Sequence, residues 1–384
     1  MPFGNHSSSP EIGTCPTRPW VARLALLICA TMVVGMLAIG LSPFRRPKNE
    51  VAWLVTQDGL RFGSHATLLS STAFSMGSLA EAGGEPACTI ELFWQAGDSR
   101  EAPTILAFST AENPLQLSLL DYQSSALLQK DAGPDGRENI GVRDVFIRNR
   151  PVFLTLTSGA RGSSIFVDGK LRGVFPEFHF GRDCQGRLVI GASPVAHFRC
   201  PGKLLGLAIL TREIQDSEAL RHYEIWAKER HSGIRLGRNM AALYLFNERE
   251  GNLVHNAVPG GINLEIPYEF VLLHQPRLEP FWKEYKPGWS HWKDILVNLV
   301  GFMPLGLVFY ACALSVWSLK RPVLACVALG LAVSLTIEVV QSFLPSRSSG
   351  TMDLITNTLG TYIGTRLHGL GMIRGSRTER FSYR

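Results

Sequence analysis

The sequence predicts a multidomain membrane protein: an all-β sandwich or jelly-roll domain outside the cytoplasm, joined to an α-helical transmembrane bundle of four spans. Three observations predict it. Long uncharged apolar runs lie at both ends of the 384-residue chain, although hydrophobic residues make up only 46% of the whole. The middle breaks into short β-type segments separated by turns. Lys and Arg gather beside the apolar runs and in the tail, including Arg45, Arg46, Lys48, Lys320, Arg321, Arg374 and Arg380. A net charge of +6 spread in this way suits membrane topology and lipid headgroups. It does not suit nucleic acid, and the sequence has no zinc-finger spacing, RNA-binding signature or phosphate-binding loop.

Residues 1–19 are rich in Ser, Pro and Gly and read as a flexible cytoplasmic leader. Residues 20–42 hold the run WVARLALLICATMVVGMLAIGL, long enough to cross a hydrocarbon core of about 30 Å. It is too long for a signal-peptide core and no clear A-x-A site ends it, so it reads as an uncleaved anchor.

Residues 50–267 form the β domain. Thr89 to Trp94, Thr104 to Ser109, Leu115 to Leu120, Val152 to Thr157, Leu188 to Ile190 and Leu204 to Leu210 have strand patterns. SIFVDGKLRGVF at 164–175 carries the strongest hairpin signal, Asp168-Gly169. Asp216 or Ser217 can cap a helix running to about Lys228, with Leu220, Tyr223 and Trp226 on one side. Many short strands with regular turns indicate a sandwich or jelly roll.

There are seven cysteines. Cys29, Cys312 and Cys326 lie in apolar runs and read as buried small residues, and Cys15 falls in the leader. In an oxidising compartment Cys184 and Cys200 are the candidate disulfide across a short loop, which leaves Cys88 over. Spacing alone does not fix that pairing.

The β domain resembles the laminin-G-like, concanavalin A-like jelly rolls. The resemblance is carried by CTIELFW at 88–94, IFVDGKL at 165–171 and GKLLGLAILTREIQDSEALRHY at 202–223. LYLFNEREGNLVHNAV at 243–258 is similar to the hairpin that opens such domains, yet here it comes last. A circular permutation would account for this, with the hairpin beside the strand near Leu60, Arg61 and Phe62. The resemblance implies binding of sugars, proteins or calcium through rim loops. The loops at 131–137 and 176–185 hold no compact calcium-type ligand set. His179, His197, His222 and His255 are scattered and read as packed or exposed, not as ligands.

Residues 268–293 are the interfacial connector. Phe281, Trp282, Tyr285, Trp289 and Trp292 alternate with Lys283, Lys286 and Lys293, the composition of an aromatic belt at headgroup level. Residues 294–370 are the membrane region, with spans at Asp294–Trp317, Pro322–Leu344 and Asp353–Leu370, and 371–384 are a basic tail. The Lys320–Arg321 turn and the tail are cytoplasmic by the positive-inside rule. Both termini are then cytoplasmic and the β domain is extracytoplasmic, in a multi-pass protein of the cytoplasmic membrane. Arg45, Arg46 and Lys48 run against this assignment.

Polar side chains interrupt the membrane region near one end of each span. They are Asp294 and Asn298, Glu338 and Gln341, and Asp353 and Asn357, with Arg347 in the loop beside them. Spacings of three or four put each pair on one helical face. Ionisable groups in spans are costly and mark a function or a packing contact. Gly360 and Gly364 form a small-xxx-small pair for close helix approach, and Pro304 and Gly306 can open the helix ladder.

This region resembles the VanZ-like family of bacterial membrane proteins. The matching elements are NLVGFMPLG at 298–306, SLTIEVVQSFLPSR at 334–347 and DLITNTLGTYIG at 353–364, with the first anchor as the opening helix. The resemblance implies a cell-envelope role. The family takes its name from a protein associated with low-level resistance to the glycopeptide teicoplanin. Expected partners are membrane lipids, and a cell-wall precursor, glycan or glycopeptide. No cofactor, metal or nucleic acid is expected.

Three readings of the polar cluster stay open from the residues. It can lock helices by hydrogen bonds. It can bind a lipid headgroup, precursor or amphiphilic drug, with the Arg347 guanidinium on phosphate. Or it can act on a lipid-linked precursor, with Glu338 and Asp353 as the candidate catalytic carboxylates. Ser334 and Ser342 lie near, but a Ser on a membrane helix more often packs or bonds back to its own helix. A non-enzymatic binding protein is the favoured expectation, because no nucleophile motif or metal signature accompanies the carboxylates.

Overall fold

The computed structural model describes residues 19–42, 46–75, 86–99, 102–133, 136–196, 198–228, 239–275, 277–284, 289–317, 319–344 and 349–381. The chain divides into a β unit, residues 45–276 with 344–348, and a helical unit comprising 1–44, 277–343 and 349–384.

In chain order, α1 is Pro19–Gly40, and β1 (Val51–Trp53), β2 (Leu60–Phe62), β3 (Leu68–Ser70) and β4 (Cys88–Ala96) follow. Next come β5 (Thr104–Ser109), β6 (Leu117–Tyr122), β7 (Ser125–Asp131), β8 (Arg137–Val142), β9 (Pro151–Gly159), β10 (Gly162–Val167) and β11 (Lys170–Phe175). A short 3-10 turn at Gly181–Asp183 precedes β12 (Arg187–Ile190), β13 (Gly202–Leu210) and α2 (Asp216–Lys228). The β unit ends with β14 (Met240–Tyr244), β15 (Leu253–Val254) and β16 (Leu264–Glu265). The remaining helices are α3 (Phe281–Glu284), α4 (Trp289–Ser315), α5 (Pro322–Gln341) and α6 (Thr351–Phe381).

The β unit is a sandwich of two antiparallel sheets. One has the order β1-β2-β13-β4-β9-β10-β11, with β14 also on β13, and the other runs β15-β16-β3-β12-β5-β6-β7-β8. The inner faces meet through Trp94, Phe108, Leu156, Phe180, Ile190 and Tyr244. Asp168 and Gly169, with φ of 50° and 74°, close the β10–β11 turn. This is the geometry that an Asp-Gly hairpin favours.

The outer face of the first sheet is covered by α2. Trp226 and Ala219 of the helix pack on Phe153, Phe166 and Ala208. Gly206 makes this approach feasible, since a Cβ there would collide with the Trp226 ring. Under the helix lies Glu91, only 2% exposed on β4. His222 Nδ1 meets its Oε1 at 2.5 Å, and Arg212 and Glu218 pair beside it. A buried carboxylate needs such partners, because desolvation without them would be prohibitive.

Residues 268–275, read from sequence as part of the connector, belong to the β unit: Phe270 is buried with Leu69, Val189 and Ala192. Arg46 pairs with Glu269 at 3.6 Å, and Lys48 forms an isolated β-bridge with the same residue. Two of the basic residues that disagreed with the topology are therefore used by the β unit.

The structure corrects the expected disulfide. Cys184 is bonded to Cys88, not to Cys200, and Cys200 is a buried free thiol. Sequence proximity misleads here. The turn at Gly181–Asp183 delivers Cys184 to the start of β4, whereas Cys200 enters the core two residues before β13. The segment 243–258 is paired but is not one hairpin. β14 lies on β13, whose other residues on that edge pair with β2, while β15 pairs with β16 in the opposite sheet. Gly59 N–H donates to Phe246 O at 2.9 Å, so β14 does end beside the strand containing Leu60.

In the helical unit, α1 packs Met36 and Leu37 against Phe302 and Leu305 of α4 and Val333 and Ile337 of α5. Pro322 opens α5 at its first helical position, where its missing N–H costs nothing. Among the described residues, three helices are long and apolar enough to cross a membrane: Pro19–Gly40, His291–Leu314 within α4, and Pro322–Gln341. Residues 353–370, expected as a fourth span, are helical within α6 but are not among those three.

Candidate functional site

The site is built where the start of α4, the end of α5 and the start of α6 supply polar groups. Spacing by one helical turn sets Asp294 and Asn298 on α4. Asn298 Nδ2 donates to Asp353 Oδ1 at 2.7 Å, joining α4 to α6. Asp294 is exposed one turn earlier, near enough for its charge to bear on Asp353.

Glu338 sits in the last turn of α5 and is 1% exposed. Its Oε2 accepts the Gly350 N–H at 2.9 Å, and its backbone carbonyl accepts the Ser349 hydroxyl at 2.8 Å. Residues just before α6 are thereby held to the end of α5. Backbone pairing holds them from the other side: Glu279 N–H donates to Ser349 O at 3.0 Å, and Thr351 N–H to Glu279 O at 2.9 Å. Gln341 Nε2 donates to Gly40 O at 2.7 Å, closing the end of α1. A helix C-terminal carbonyl needs such a donor in an apolar setting.

Asn357 is 4% exposed. Its Nδ2 donates to Ser334 Oγ at 3.0 Å, while its Oδ1 is buried without a hydrogen-bond partner among the described residues. Ser342 bonds back to Val339 O at 2.7 Å.

Close helix approach makes these contacts possible. A Cβ on Gly360 would collide with Leu299 O, one on Gly364 with Met303 O, and one on Gly306 with Thr361 O. α4 and α6 are thus in backbone contact along one face, as small-residue interfaces allow. Pro304 lies within α4, which continues through it to Ser315.

Of the seven expected site residues, Asn298 and Asp353 bond to each other. Glu338, Gln341 and Asn357 each close a different joint, Asp294 faces outward, and Arg347 lies outside the described residues. Sequence reasoning missed Ser349, Gly350 and Glu279, which act through backbone groups or a loop. It noted Ser334 only as a packing residue. Among the described residues no group of three or more His, Cys, Asp or Glu side chains is placed to hold a metal ion. An apolar groove of about 390 Å³ runs beside the site between α5 and α6, lined by Val327, Leu331, Leu354, Thr358 and Tyr362.

Comparison with curated proteins gives no match. Among solved structures, a candidate carbohydrate binding protein from Bacteroides ovatus is similar at 16% identity and TM-score 0.39, over 54% of this chain and 58% of that one. The receptor binding domain of botulinum neurotoxin mosaic serotype C/D is similar at 11% identity and TM-score 0.37, over 46% of this chain and 44% of that one. The chain thus spans about half the length of each. Residues 239–370 match the family model described as VanZ/LLP1, a match that begins in the β unit just before β14. The membrane region of this chain is therefore VanZ-like, and a β-sandwich domain stands between it and the first membrane-length helix.

Proposed function

We propose that this chain is a bacterial cell-envelope membrane protein that binds an envelope lipid, glycan or amphiphilic antibiotic at the polar end of its VanZ-like helices, without chemical turnover. In this reading α6 is the fourth span and both termini are cytoplasmic. The β domain is then extracytoplasmic and acts as a carbohydrate- or protein-recognition module. The observation that carries the binding reading is Asn357, whose buried Oδ1 has no hydrogen-bond donor among the described residues while its amide is held by Ser334. A buried acceptor left unpaired costs about 1–3 kcal/mol, and a ligand hydroxyl or ammonium would remove that cost. The nearby carboxylates of Asp353 and Asp294 favour a headgroup that donates hydrogen bonds.

Native mass spectrometry of the detergent-extracted protein tests the reading. A co-purified lipid or precursor, retained by wild type and lost in Asn357→Leu at equal membrane abundance, is the expected result. Ligand-free protein across several mild detergents would count against it. Turnover of a lipid-linked precursor by pure protein, abolished in Glu338→Gln, would replace binding with catalysis.

A further inference from the structure

One cavity of the β unit has the chemistry of a recognition site. It has a volume of about 310 Å³ and is lined by Ser99, Asp121, Gln123, Phe146 and Arg148 among others. β4 ends just before Gly97, Asp121 lies at the end of β6, and Phe146 and Arg148 come from the loop between β8 and β9. Residues from both sheets therefore meet at one end of the sandwich. The volume lies at the small end of the range for ligand pockets.

The polar groups there are only partly used. Asp121 Oδ1 accepts the Ser124 N–H at 3.0 Å, and its Oδ2 has no hydrogen-bond partner among the described residues. Arg148 Nη1 meets Asp98 Oδ1 at 3.0 Å, and both side chains are largely exposed. The Gln123 amide has no protein partner among the described residues.

Charge narrows the ligand class. Arg148 disfavours a metal ion beside Asp121. Asp121 disfavours an anion, and Arg148 already has a carboxylate partner. Planar carboxylate, amide and guanidinium groups beside the Phe146 ring instead match vicinal hydroxyls. We propose that this cavity is a saccharide subsite that takes one neutral sugar ring of a glycan. The proposal rests on the β domain being a recognition module.

The test uses the full chain in detergent on a printed array of neutral and anionic oligosaccharides, followed by titration with the best arrayed binder. The expected result is a neutral binder whose affinity falls at least tenfold in Asp121→Asn and in Arg148→Ala. Asp121→Asn keeps the Oδ1 acceptor that Ser124 uses, so the turn is preserved. Arg161→Ala, at the far end of β9, should bind as wild type does. Binding that survives both variants would overturn the subsite and leave the recognition reading standing. No oligosaccharide bound by folded protein would overturn the subsite and the carbohydrate half of the recognition reading, leaving protein recognition. Binding confined to anionic oligosaccharides would overturn the neutral class.

Discussion

Asn298 of α4 donates its side-chain amide to the Asp353 carboxylate of α6 at 2.7 Å, and two turns further along α6 Gly360 meets the α4 backbone at Leu299. The hydrogen bond and the glycine contact depend on each other. Without the close approach the amide would not reach, and without the amide the carboxylate would lose its donor from α4.

Replacing either glycine should therefore open the helix pair. Gly360→Val and Gly364→Val each place side-chain atoms on a backbone carbonyl of α4. Overpacking of this kind costs about 1–3 kcal/mol. The expected outcome is a lower melting temperature in detergent, with Gly301→Ala, at an open position, as the unaffected control. Equal melting for all three would mean that the helices do not pack this way.

Removing the amide is a milder change. Asn298→Ala should cost about 0.6–1 kcal/mol, the scale of one interhelical hydrogen bond in a membrane bundle. Asp353→Ala should cost a similar amount, and the double variant less than the sum, because both remove the same bond. A double-mutant cycle on detergent unfolding reads the coupling.

The disulfide gives a covalent check on the β unit. Non-reducing peptide mapping should recover Cys88 linked to Cys184, with Cys200 free to react only after unfolding. Cys184→Ala should lower β-unit stability by about 2–5 kcal/mol, since it releases a long loop. A recovered Cys184–Cys200 peptide would contradict the structure.

Two carboxyl groups of the β unit should make it less stable as pH rises. Burial pushes Asp121 and Asp183 up to about 6. Below their ordinary carboxylate range both states are protonated. Through the window from about 4 to 6 the folded state holds more protons than the unfolded one, so stability falls as pH increases. Asp121→Asn and Asp183→Asn should each flatten the melting temperature across that window. A slope equal to wild type in both variants would place the titration elsewhere.

His222 has the same sign in a higher window. Burial pulls its pKa down, but the Glu91 hydrogen bond and the charges of Glu91 and Glu218 outweigh this and raise it. Its stabilising effect is full below about 6.5, the ordinary value for histidine, and is lost as pH passes the raised folded value. His222→Gln should remove that loss from the melting curve of the β unit. Unchanged pH dependence would rule His222 out as its source.

Local chemistry was enough for much of the architecture. Alternation and turn residues located strands at 104–109, 152–157 and 204–210, the last two of which run to 151–159 and 202–210 in the structure, with the Asp168-Gly169 turn and the helix from Asp216, because each is specified by neighbours in sequence. The strand Arg137–Val142 escaped notice because its sequence, RENIGV, is polar and it lies at a sheet edge. Long apolar runs and one-turn spacings likewise marked the membrane helices and placed Asn298, Glu338, Asp353 and Asn357 on their faces. Partners were another matter. Which cysteine meets Cys184, that Gln341 reaches Gly40, that Gly350 donates to Glu338 and that Asn357 keeps one acceptor unpaired are long-range facts. Side-chain periodicity specifies the face a residue occupies. Only the packing of distant segments determines which donor, acceptor or thiol stands opposite it.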